Sequence, residues 1–388
     1  MRNGVGVLAA VVAVTVAGCG AGTEESEPDR WRIDYVSDSR RMQVRELVAV
    51  APDEGWAVGH ETKDGDTVHT LLHRDGAHWQ TAPVPPALRW EGGAVISELA
   101  ASGPDDVWLF GTLAADEIGR SAASGALRWD GRVWHRVPGS FTVRDAVALA
   151  PDDVWALDAS TSDPVAHHWN GAGWDALPLP AGYLDSLTAT GPDDVWAAGA
   201  TGGQPAFAHF DGQRWQAVQA PAFPHGADEE ARVYDIVSVS RDEVWAFGAI
   251  TPTRGNSGPP YTPFALRWNG TTWEKQPDAF DTSDQQTPPD SALLATSDGG
   301  GGFVVASVFG AEQHRTRTGE VRVVKDPPPV PGRTDQVTDV DRRQHLEVHD
   351  LQLVPGTREV WAAGAVGVSP LPPSEQYTRG VVVSYTAG

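Results

Sequence analysis

The chain has 388 residues, of which 40% are hydrophobic and 21% are charged, a balance that excludes an intrinsically disordered protein. Its single cysteine excludes an intramolecular disulfide framework and a cysteine-based zinc finger. A net charge of −23 argues against nucleic acid or an anionic lipid surface as a partner, because binding to phosphates requires lysine and arginine.

The first residues have the pattern of a secretory signal. Arg2 is followed by an apolar run, Val5 to Ala17, that is shorter than the about 20 residues a helix needs to cross a bilayer. The run ends in Val16-Ala17-Gly18-Cys19, which resembles the bacterial lipobox. This resemblance implies that residues 1–18 are a lipoprotein signal peptide and that Cys19 carries a diacylglycerol. An ordinary secreted protein with a chance cysteine is the alternative.

A short polar segment separates this signal from the rest of the chain. Residues 20–28 are small or acidic and lack large apolar side chains. We therefore expect residues 19–28 to form a lipid-anchored flexible tether. The remaining residues, 29–388, would then lie at the outer face of the cytoplasmic membrane.

One sequence unit recurs through residues 29–388. Its first half is clearest in Gly103-Pro104-Asp105-Asp106-Val107-Trp108, and a degenerate copy lies at Thr296–Phe303. Repeats of this length are typical of solenoids and propellers. The chain contains seven units, whose aromatic residues are Trp56, Trp108, Trp155, Trp196, Trp245, Phe303 and Trp361.

The second half of the unit is an Asp-Gly or Asn-Gly pair, with a tryptophan three residues after the glycine. Such a pair between alternating apolar runs predicts a hairpin with a type I′ turn, in which both central residues have positive φ. Each unit then supplies four short antiparallel strands. The pairs are Asp75-Gly76, Asp130-Gly131, Asn170-Gly171, Asp211-Gly212 and Asn269-Gly270.

Four-stranded units repeated in this way predict an all-β fold, a seven-bladed β-propeller of antiparallel blades. The last unit stops at Tyr385–Gly388 without a fourth strand, and Asp29–Ile33 has the pattern of that missing strand. We therefore expect the N-terminal strand to complete the last blade and to close the ring, which removes free sheet edges.

These motifs resemble those of exported bacterial β-propeller lipoproteins of the actinobacterial type, over residues 29–388. Thr296–Phe303 is also similar to the Asp-box of sialidase-type propellers, and Trp129-Asp130 resembles the WD dipeptide of WD40 blades. The resemblance implies the architecture and no particular activity.

Tryptophan is abundant and periodic in the repeats. Fifteen of the 16 tryptophans occupy repeat positions, which predicts that they pack within and between blades. Trp90 lies outside the repeat, in a loop after Pro85-Pro86, and is a candidate ligand-binding residue.

An acidic residue recurs in the first strand of the units, and first strands line the channel of a propeller. These carboxylates could ring the channel mouth and bind a ligand or a structural cation. Alternatively, they and the repeated basic residues, such as His73 and Arg128, are hydrogen bonds or ion pairs that join the blades. The candidates are Glu46, Glu98, Asp145, Asp235 and Asp350, with Asp185 and Asp290 one place off.

Loop lengths indicate which face of the ring is used. The second turns and the links between blades share one face, and several of them are long and unlike each other, as in Thr112–Ser124 and Lys325–Gln344. Variable loops on a rigid scaffold favour binding, so this face and the acidic mouth are the expected working surface.

The interpretation that follows is a monomeric, non-catalytic module that binds a ligand or protein at the cell surface. Expected partners are the membrane, through the lipid, and a cell-envelope protein or a glycan, without nucleic acid. No cofactor is expected apart from the cation at the channel mouth. The alternative is a carbohydrate-active enzyme of the sialidase or glycoside hydrolase type, which would use carboxylates at the mouth.

Overall fold

A computed structural model describes residues 29–63, 66–89, 95–114, 121–159, 164–180, 182–253, 262–279, 281, 293–307, 312–369, 372 and 375–388. In this part of the chain, seven four-stranded antiparallel sheets form the blades of a β-propeller, as the sequence predicts. First strands of neighbouring blades contact each other around the ring, including those of the first and last blades.

The first four blades follow one another along the chain, after a leading strand β1 (Arg32–Val36). Their strands are β2 (Met42–Ala51), β3 (Glu54–Lys63), β4 (Asp66–Asp75) and β5 (His78–Ala82) in blade 1; β6 (Val95–Gly103), β7 (Asp106–Ala114), β8 (Ala122–Trp129) and β9 (Trp134–Val137) in blade 2; β10 (Val143–Ala150), β11 (Asp153–Asp158), β12 (Val165–Trp169) and β13 (Trp174–Pro178) in blade 3; and β14 (Tyr183–Gly191), β15 (Asp194–Thr201), β16 (Gln204–Phe210) and β17 (Trp215–Val218) in blade 4.

The remaining blades have the same order of strands. They are β18 (Glu229–Ser240), β19 (Glu243–Pro252), β20 (Thr262–Trp268) and β21 (Trp273–Lys275) in blade 5; β22 (Leu293–Ser297), β23 (Phe303–Ser307), β24 (Glu312–Arg315) and β25 (Val321–Val324) in blade 6; and β26 (His345–Leu353), β27 (Glu359–Gly367), β28 (Thr378–Thr386) and the leading β1 in blade 7.

The two helices in the described part of the chain are single 3-10 turns, Pro86–Leu88 and Asp341–Arg343. Neither has the length or the apolar run that a bilayer span requires.

The N-terminal strand closes the ring, as predicted. β1 pairs with β28, and the pairing includes Arg32 opposite Ser384 and Val36 opposite Val381. Trp31 is fully buried, and its ring lies 5.8 Å from that of Tyr385. Blade 7 is therefore assembled from two segments of chain that are distant in sequence.

Tryptophan packing holds neighbouring blades together. The buried second-strand tryptophan of one blade contacts tryptophans of the following blade: Trp56 lies 5.1 Å from Trp129 and 5.3 Å from Trp134. Trp361 of blade 7 lies 5.4 Å from Trp79 of blade 1, so the same contact crosses the closure. Edge-on and tilted indole pairs of this kind stabilise a core beyond the burial of their area.

The predicted turn type is wrong. A type I′ turn would give both Asp130 and Gly131 a positive φ. In the third turn of blade 2 Gly131 has φ +86°, but Asp130 does not have a positive φ, since Asp29 is the sole non-glycine residue with one in the described part of the chain. Instead, the Asp130 carboxylate accepts hydrogen bonds from the backbone N–H groups of Arg132 and Val133, both at 2.9 Å. This Asx-type arrangement satisfies the turn while Asp130 stays outside the left-handed region. Only the glycine then needs positive φ.

First and third turns lie on one face of the ring, as predicted. A Cβ atom added to Gly131 in the third turn of blade 2 would lie 2.0 Å from a side-chain oxygen of Asp105 in its first turn. Antiparallel pairing then places second turns and interblade links on the other face. We call these the short-turn face and the variable face.

Candidate functional site

The candidate carboxylates are turned toward the channel by β-bulges. In β2 the register shifts between Val44 and Glu46, and the same shift occurs one residue before each of the other candidates. The bulged residues are Arg45, Ser97, Arg144, Asp185, Tyr234 and His349, and the residues after them are Glu46, Glu98, Asp145, Ser186, Asp235 and Asp350.

In five of the six bulged blades a glycine of the second strand lies opposite the bulge, whereas in blade 3 Asp158 occupies this position. A Cβ atom on Gly111 would lie 2.1 Å from the backbone oxygen of Val95, and one on Gly199 would lie 2.1 Å from that of Tyr183. In blades 2 and 4 the close approach of the bulged strand therefore leaves no room for a side chain opposite it. The glycine that follows the repeated Val-Trp pair is the sequence signal for this geometry.

The channel holds a cavity of about 500 Å³. All five candidate carboxylates line it, together with Arg144, Tyr234 and His349. Asp185 also lines it, as a bulged residue, which explains why it lies one place off in the sequence. The structure thus brings the predicted residues together at one site.

The three aspartates among the candidates join neighbouring blades. Asp145 accepts a hydrogen bond from the backbone N–H of Leu187 in the next blade at 2.6 Å. Asp235 accepts one from Ala295 at 2.7 Å, and Asp350 accepts one from Leu47 at 2.8 Å. First strands are sheet edges whose outer N–H groups have no strand partner, so these carboxylates satisfy them.

Threonines do the same in two blades that lack an acidic residue at this position. The hydroxyl oxygen of Thr188 in blade 4 accepts the N–H of Ser238, and that of Thr296 in blade 6 accepts the N–H of Leu353, both at 3.0 Å. Five of the seven blades therefore bind the next one through a first-strand side chain.

Glu46 and Glu98, in blades 1 and 2, do not join blades in this way. Glu98 accepts a hydrogen bond from the N–H of Leu99, its own neighbour, at 2.9 Å. Glu46 receives none from the residues that the structure describes. Both side chains are one methylene longer than aspartate and remain available at the cavity surface.

Burial controls the ionisation of this cluster. Loss of hydration raises the pKa of Asp145 and Asp350 to about 6 and that of Asp235 to about 7, although hydrogen bonds to backbone N–H groups oppose the shift. Burial, and then the negative charges of Asp350 and Asp145, raise the pKa of Glu46 well above its usual range. Glu98 is raised well above its range by burial and by the charges of Asp145 and Glu46.

One part of the mouth is occupied by an ion-pair network. Asp185 accepts hydrogen bonds from Arg144 at 3.1 Å and from Arg232 at 2.6 and 2.8 Å. Both guanidinium carbons also lie close to the ring of Tyr183, at 4.1 and 4.4 Å from its centroid. The network joins blades 3, 4 and 5, and it uses the charge of Asp185 within the protein.

Other predictions fall outside the described residues. Cys19, Trp90 and Asp290 are among them, so lipidation and ligand contact at these positions stay predictions. Where the structure describes the chain, no three His, Cys, Asp or Glu side chains lie close enough to ligate one metal ion.

The repeated basic residues belong to a second set of contacts, whose acidic partners the sequence analysis missed. In blade 2 the guanidinium of Arg128 donates to Asp106 at 2.6 Å and lies 5.2 Å from the ring of Trp108. Blades 1, 3, 4 and 5 repeat this acid–base–tryptophan unit. The acids are Glu54, Asp106, Asp153, Asp194 and Glu243, each two residues before its tryptophan.

The spacing of two residues between the acid and the tryptophan is a sequence pattern from which these acids could have been predicted. Residues two apart on a strand share a face, so the acid and the tryptophan must point the same way. The side chains form a partly buried structural unit in each of these five blades, which favours the structural interpretation of the basic residues.

Comparisons with solved structures support the fold. The structure of YCF48 bound to D1 peptide has a TM-score of 0.54 and 12% identity, over 93% of this chain and 97% of that chain. YCF48 from Cyanidioschyzon merolae has a TM-score of 0.51 and 14% identity, over 92% and 98%. At these identities the likeness shows a β-propeller and nothing more about this chain.

A leech intramolecular trans-sialidase is also similar, with a TM-score of 0.41 and 11% identity over 92% of this chain and 70% of that chain. A likeness of this degree carries no argument about activity. No protein-family model and no curated protein matches the sequence.

Proposed function

We propose that the chain is a non-catalytic binding module whose ligand enters the channel from the variable face and presents a cationic group to Glu46 and Glu98. One observation carries this proposal. Of the six carboxylates that line the cavity, three accept N–H groups of the next blade and Asp185 is bound by two arginines, whereas these two glutamates have neither kind of contact. They are therefore the carboxylates that a ligand can use without opening a contact between blades.

A cationic group is the chemistry that fits. Burial raises the pKa of Glu46 and Glu98, and the negative charges of neighbouring carboxylates raise it further, so a positive charge beside them relieves that repulsion. A lysine or arginine side chain of a cell-envelope protein would suit both the charge and the depth of the cavity. The structure of YCF48 named above is bound to a peptide, so a peptide is the first ligand to test.

Isothermal titration calorimetry with short lysine peptides tests this proposal. We expect binding by the native protein, loss of binding when the lysine is acetylated, and at least about tenfold weaker binding by Glu46→Gln/Glu98→Gln. Burial and neighbouring negative charges raise the pKa of both glutamates well above its usual range, and a cationic ligand lowers it, so binding should release protons. The measured heat should then change between buffers of different ionisation enthalpy.

Glu375→Gln is the matched control, since Glu375 is exposed on the variable face but does not line the cavity. Equal affinity for lysine and acetyl-lysine peptides, or unchanged affinity in the double glutamine variant, would refute the proposal.

We further propose that the module is held at the outer face of the cytoplasmic membrane by a lipid on Cys19. The lipobox-like motif supports this location. Metabolic labelling with a fatty acid should mark the native protein and leave Cys19→Ala unlabelled. Labelling of both proteins, or of neither, would contradict the anchor.

The enzyme alternative is less well supported by the cavity. A carboxylate pair for glycoside hydrolysis requires one raised pKa and one ionised partner. In this cavity the three aspartates among the candidates accept N–H groups of the next blade, and burial raises the pKa of both glutamates, so the carboxylates outside these contacts do not divide into the two roles. Turnover of a glycoside that Asp235→Asn abolishes would favour the enzyme.

The structural cation at the mouth also stays a proposal, and it shares the site of the cationic ligand. Calcium titration in the calorimeter distinguishes the two. Heat at millimolar calcium, with displacement of the lysine peptide, would favour the cation.

A further inference from the structure

Blade 6 departs from the acid–base–tryptophan unit of blades 1 to 5. Its aromatic residue is Phe303, and Arg315 lies opposite it in the register, as Arg128 lies opposite Trp108 in blade 2. Two residues before Phe303, however, the position of the acid is occupied by Gly301. Blade 6 thus has the base of the unit but not its carboxylate.

Arg315 consequently has aromatic neighbours but no acceptor. Its guanidinium carbon lies 5.2 Å from the ring of Trp245 and 5.8 Å from that of Phe303. These contacts use the faces of the guanidinium plane, whereas its hydrogen-bond donors lie at the edge. The Nε atom is buried and has no partner among the described residues. Burial, and then the charge of Arg267, lower the pKa of Arg315, although Asp278 and Glu243 oppose the shift.

Further guanidinium groups surround the same turn, residues 298–302. A Cβ atom on Gly301 would lie 3.0 Å from Cδ of Arg317, and one on Gly300 would lie 2.5 Å from a terminal nitrogen of Arg358. Arg317 is exposed and makes no ion pair in the part of the chain that the structure describes. In a chain of net charge −23, this turn is a local concentration of positive charge.

The acidic residue of the turn does not neutralise it. Asp298 is fully buried. Its carboxylate accepts hydrogen bonds from Gly300 and Gly302 and lies 3.0 Å from His314 Nε2. Arg358 approaches this carboxylate at 3.8 Å, at the limit of an ion pair. The edge of Arg315 and the guanidinium of Arg317 therefore still lack a carboxylate.

We propose that the turn at residues 298–302 of blade 6 is a second binding site, on the short-turn face, that takes carboxylates of an acidic peptide segment through Arg315 and Arg317. In five other blades a carboxylate of the protein contacts the corresponding base. In blade 6 the ligand would supply this carboxylate, because Gly301 has no side chain. The guanidinium edge matches a carboxylate with two parallel hydrogen bonds. Two such groups at one turn fit neighbouring acidic residues of a peptide. The site is separate from the channel site, since neither Arg315 nor Arg317 lines the channel cavity.

Calorimetry with N-acetyl-tetraglutamate amide at low ionic strength tests the site, and Gly301 offers a matched pair of variants. Gly301 has φ +90°, so aspartate and asparagine at this position have a similar backbone cost and nearly the same size. Gly301→Asp places a carboxylate in the turn itself, where the added Cβ atom lies 3.0 Å from Cδ of Arg317. We expect at least about tenfold weaker binding for Gly301→Asp and near-native binding for Gly301→Asn.

Two further measurements complete the test. Arg315→Gln should also lose binding, and thermal unfolding of each variant shows whether it is folded. Failure of the peptide to bind, equal binding by the two Gly301 variants, or displacement of the peptide by equimolar inorganic phosphate would overturn the proposal. None of these results bears on the lysine peptides of the channel.

Discussion

Glu312 shows how a single buried carboxyl group affects the stability of the ring. It opens β24, is 3% exposed, and lies beside the indole of Trp31 in the closing segment. Burial, with a smaller contribution from the charge of Asp326, raises the pKa of Glu312 to about 8. Because the folded pKa is above the unfolded one, this group favours the folded state at low pH, and its contribution is lost as pH rises toward 8.

We therefore predict that Glu312→Gln is more stable than the native protein at pH 8. The difference in the free energy of unfolding should grow from near zero at pH 4 to about 2–4 kcal/mol at pH 8, which urea unfolding at several pH values measures.

Glu320→Gln is the control in the same blade, because Glu320 is exposed and its pKa is lowered by its hydrogen bonds to Arg322. A constant difference between Glu312→Gln and the native protein across this pH range would show that Glu312 is not held neutral.

At this scale the sequence predicted positions better than partners. It identified the five channel carboxylates because they recur at one place in the unit. It could not show that Asp145 binds the N–H of Leu187, since that contact depends on the alignment of two separate blades. Nor could the sequence separate the roles of aspartate and glutamate. The two side chains differ by one methylene, and only the aspartates accept an N–H group of the next blade.

The first strand and its bulge are the element that places the site. The bulge in β6 brings the backbone oxygen of Val95 to 2.1 Å from where a Cβ atom of Gly111 would be. Gly111→Ala must push the two strands apart or remove the bulge. We predict a loss of about 2–4 kcal/mol in the free energy of unfolding, measured by chemical denaturation.

Gly103→Ala, at the end of β6, is the matched control. A Cβ atom there meets no atom within 4 Å, and φ is not positive. Its stability should lie within about 0.5 kcal/mol of the native value. Equal effects of the two substitutions would mean that the bulge does not depend on the glycine.

The elements themselves were predictable, because the Pro-Asp and Asp-Gly turns mark both ends of the strands. The turn type was not. Asp130 satisfies two N–H groups with its side chain, and a four-residue loop between Trp129 and Trp134 follows from that contact. The rule that predicts a type I′ turn from an Asp-Gly or Asn-Gly pair does not take account of hydrogen bonds that these N–H groups donate to the side chain.

For the whole molecule, closure by β1 should dominate stability. Deletion of residues 29–36 removes the fully buried Trp31 and exposes the edge of β28. Loss of the tryptophan side chain alone corresponds to about 3–5 kcal/mol, so we predict a sharp fall in the melting temperature, measured by calorimetry.

Deletion of residues 1–28 is the control, and it should leave the melting temperature unchanged. Similar melting of the two truncated proteins would contradict closure by the N-terminal strand.

Closure could be predicted because the last unit lacks a strand and the first residues supply its pattern. The link between blades 6 and 7 could not. It is fixed by single contacts, such as the Tyr377 hydroxyl donating to Asp341 at 2.5 Å and Gln344 donating to Tyr377 at 2.8 Å. These residues lie outside the repeat, so no sequence pattern predicts their contacts.

The division of the channel carboxylates into structural aspartates and free glutamates is the claim on which the proposed function depends, and thermal unfolding at pH 7 tests it. Asp350→Ala leaves the N–H of the buried Leu47 without its acceptor, which costs about 1–3 kcal/mol, so this variant should melt lower than the native protein. Glu46→Gln/Glu98→Gln breaks no contact between blades and removes two carboxyl groups whose pKa is raised well above its usual range by burial, so it should melt at the native temperature or above. If the glutamine double variant melts as low as Asp350→Ala, the glutamates are structural and the account is wrong.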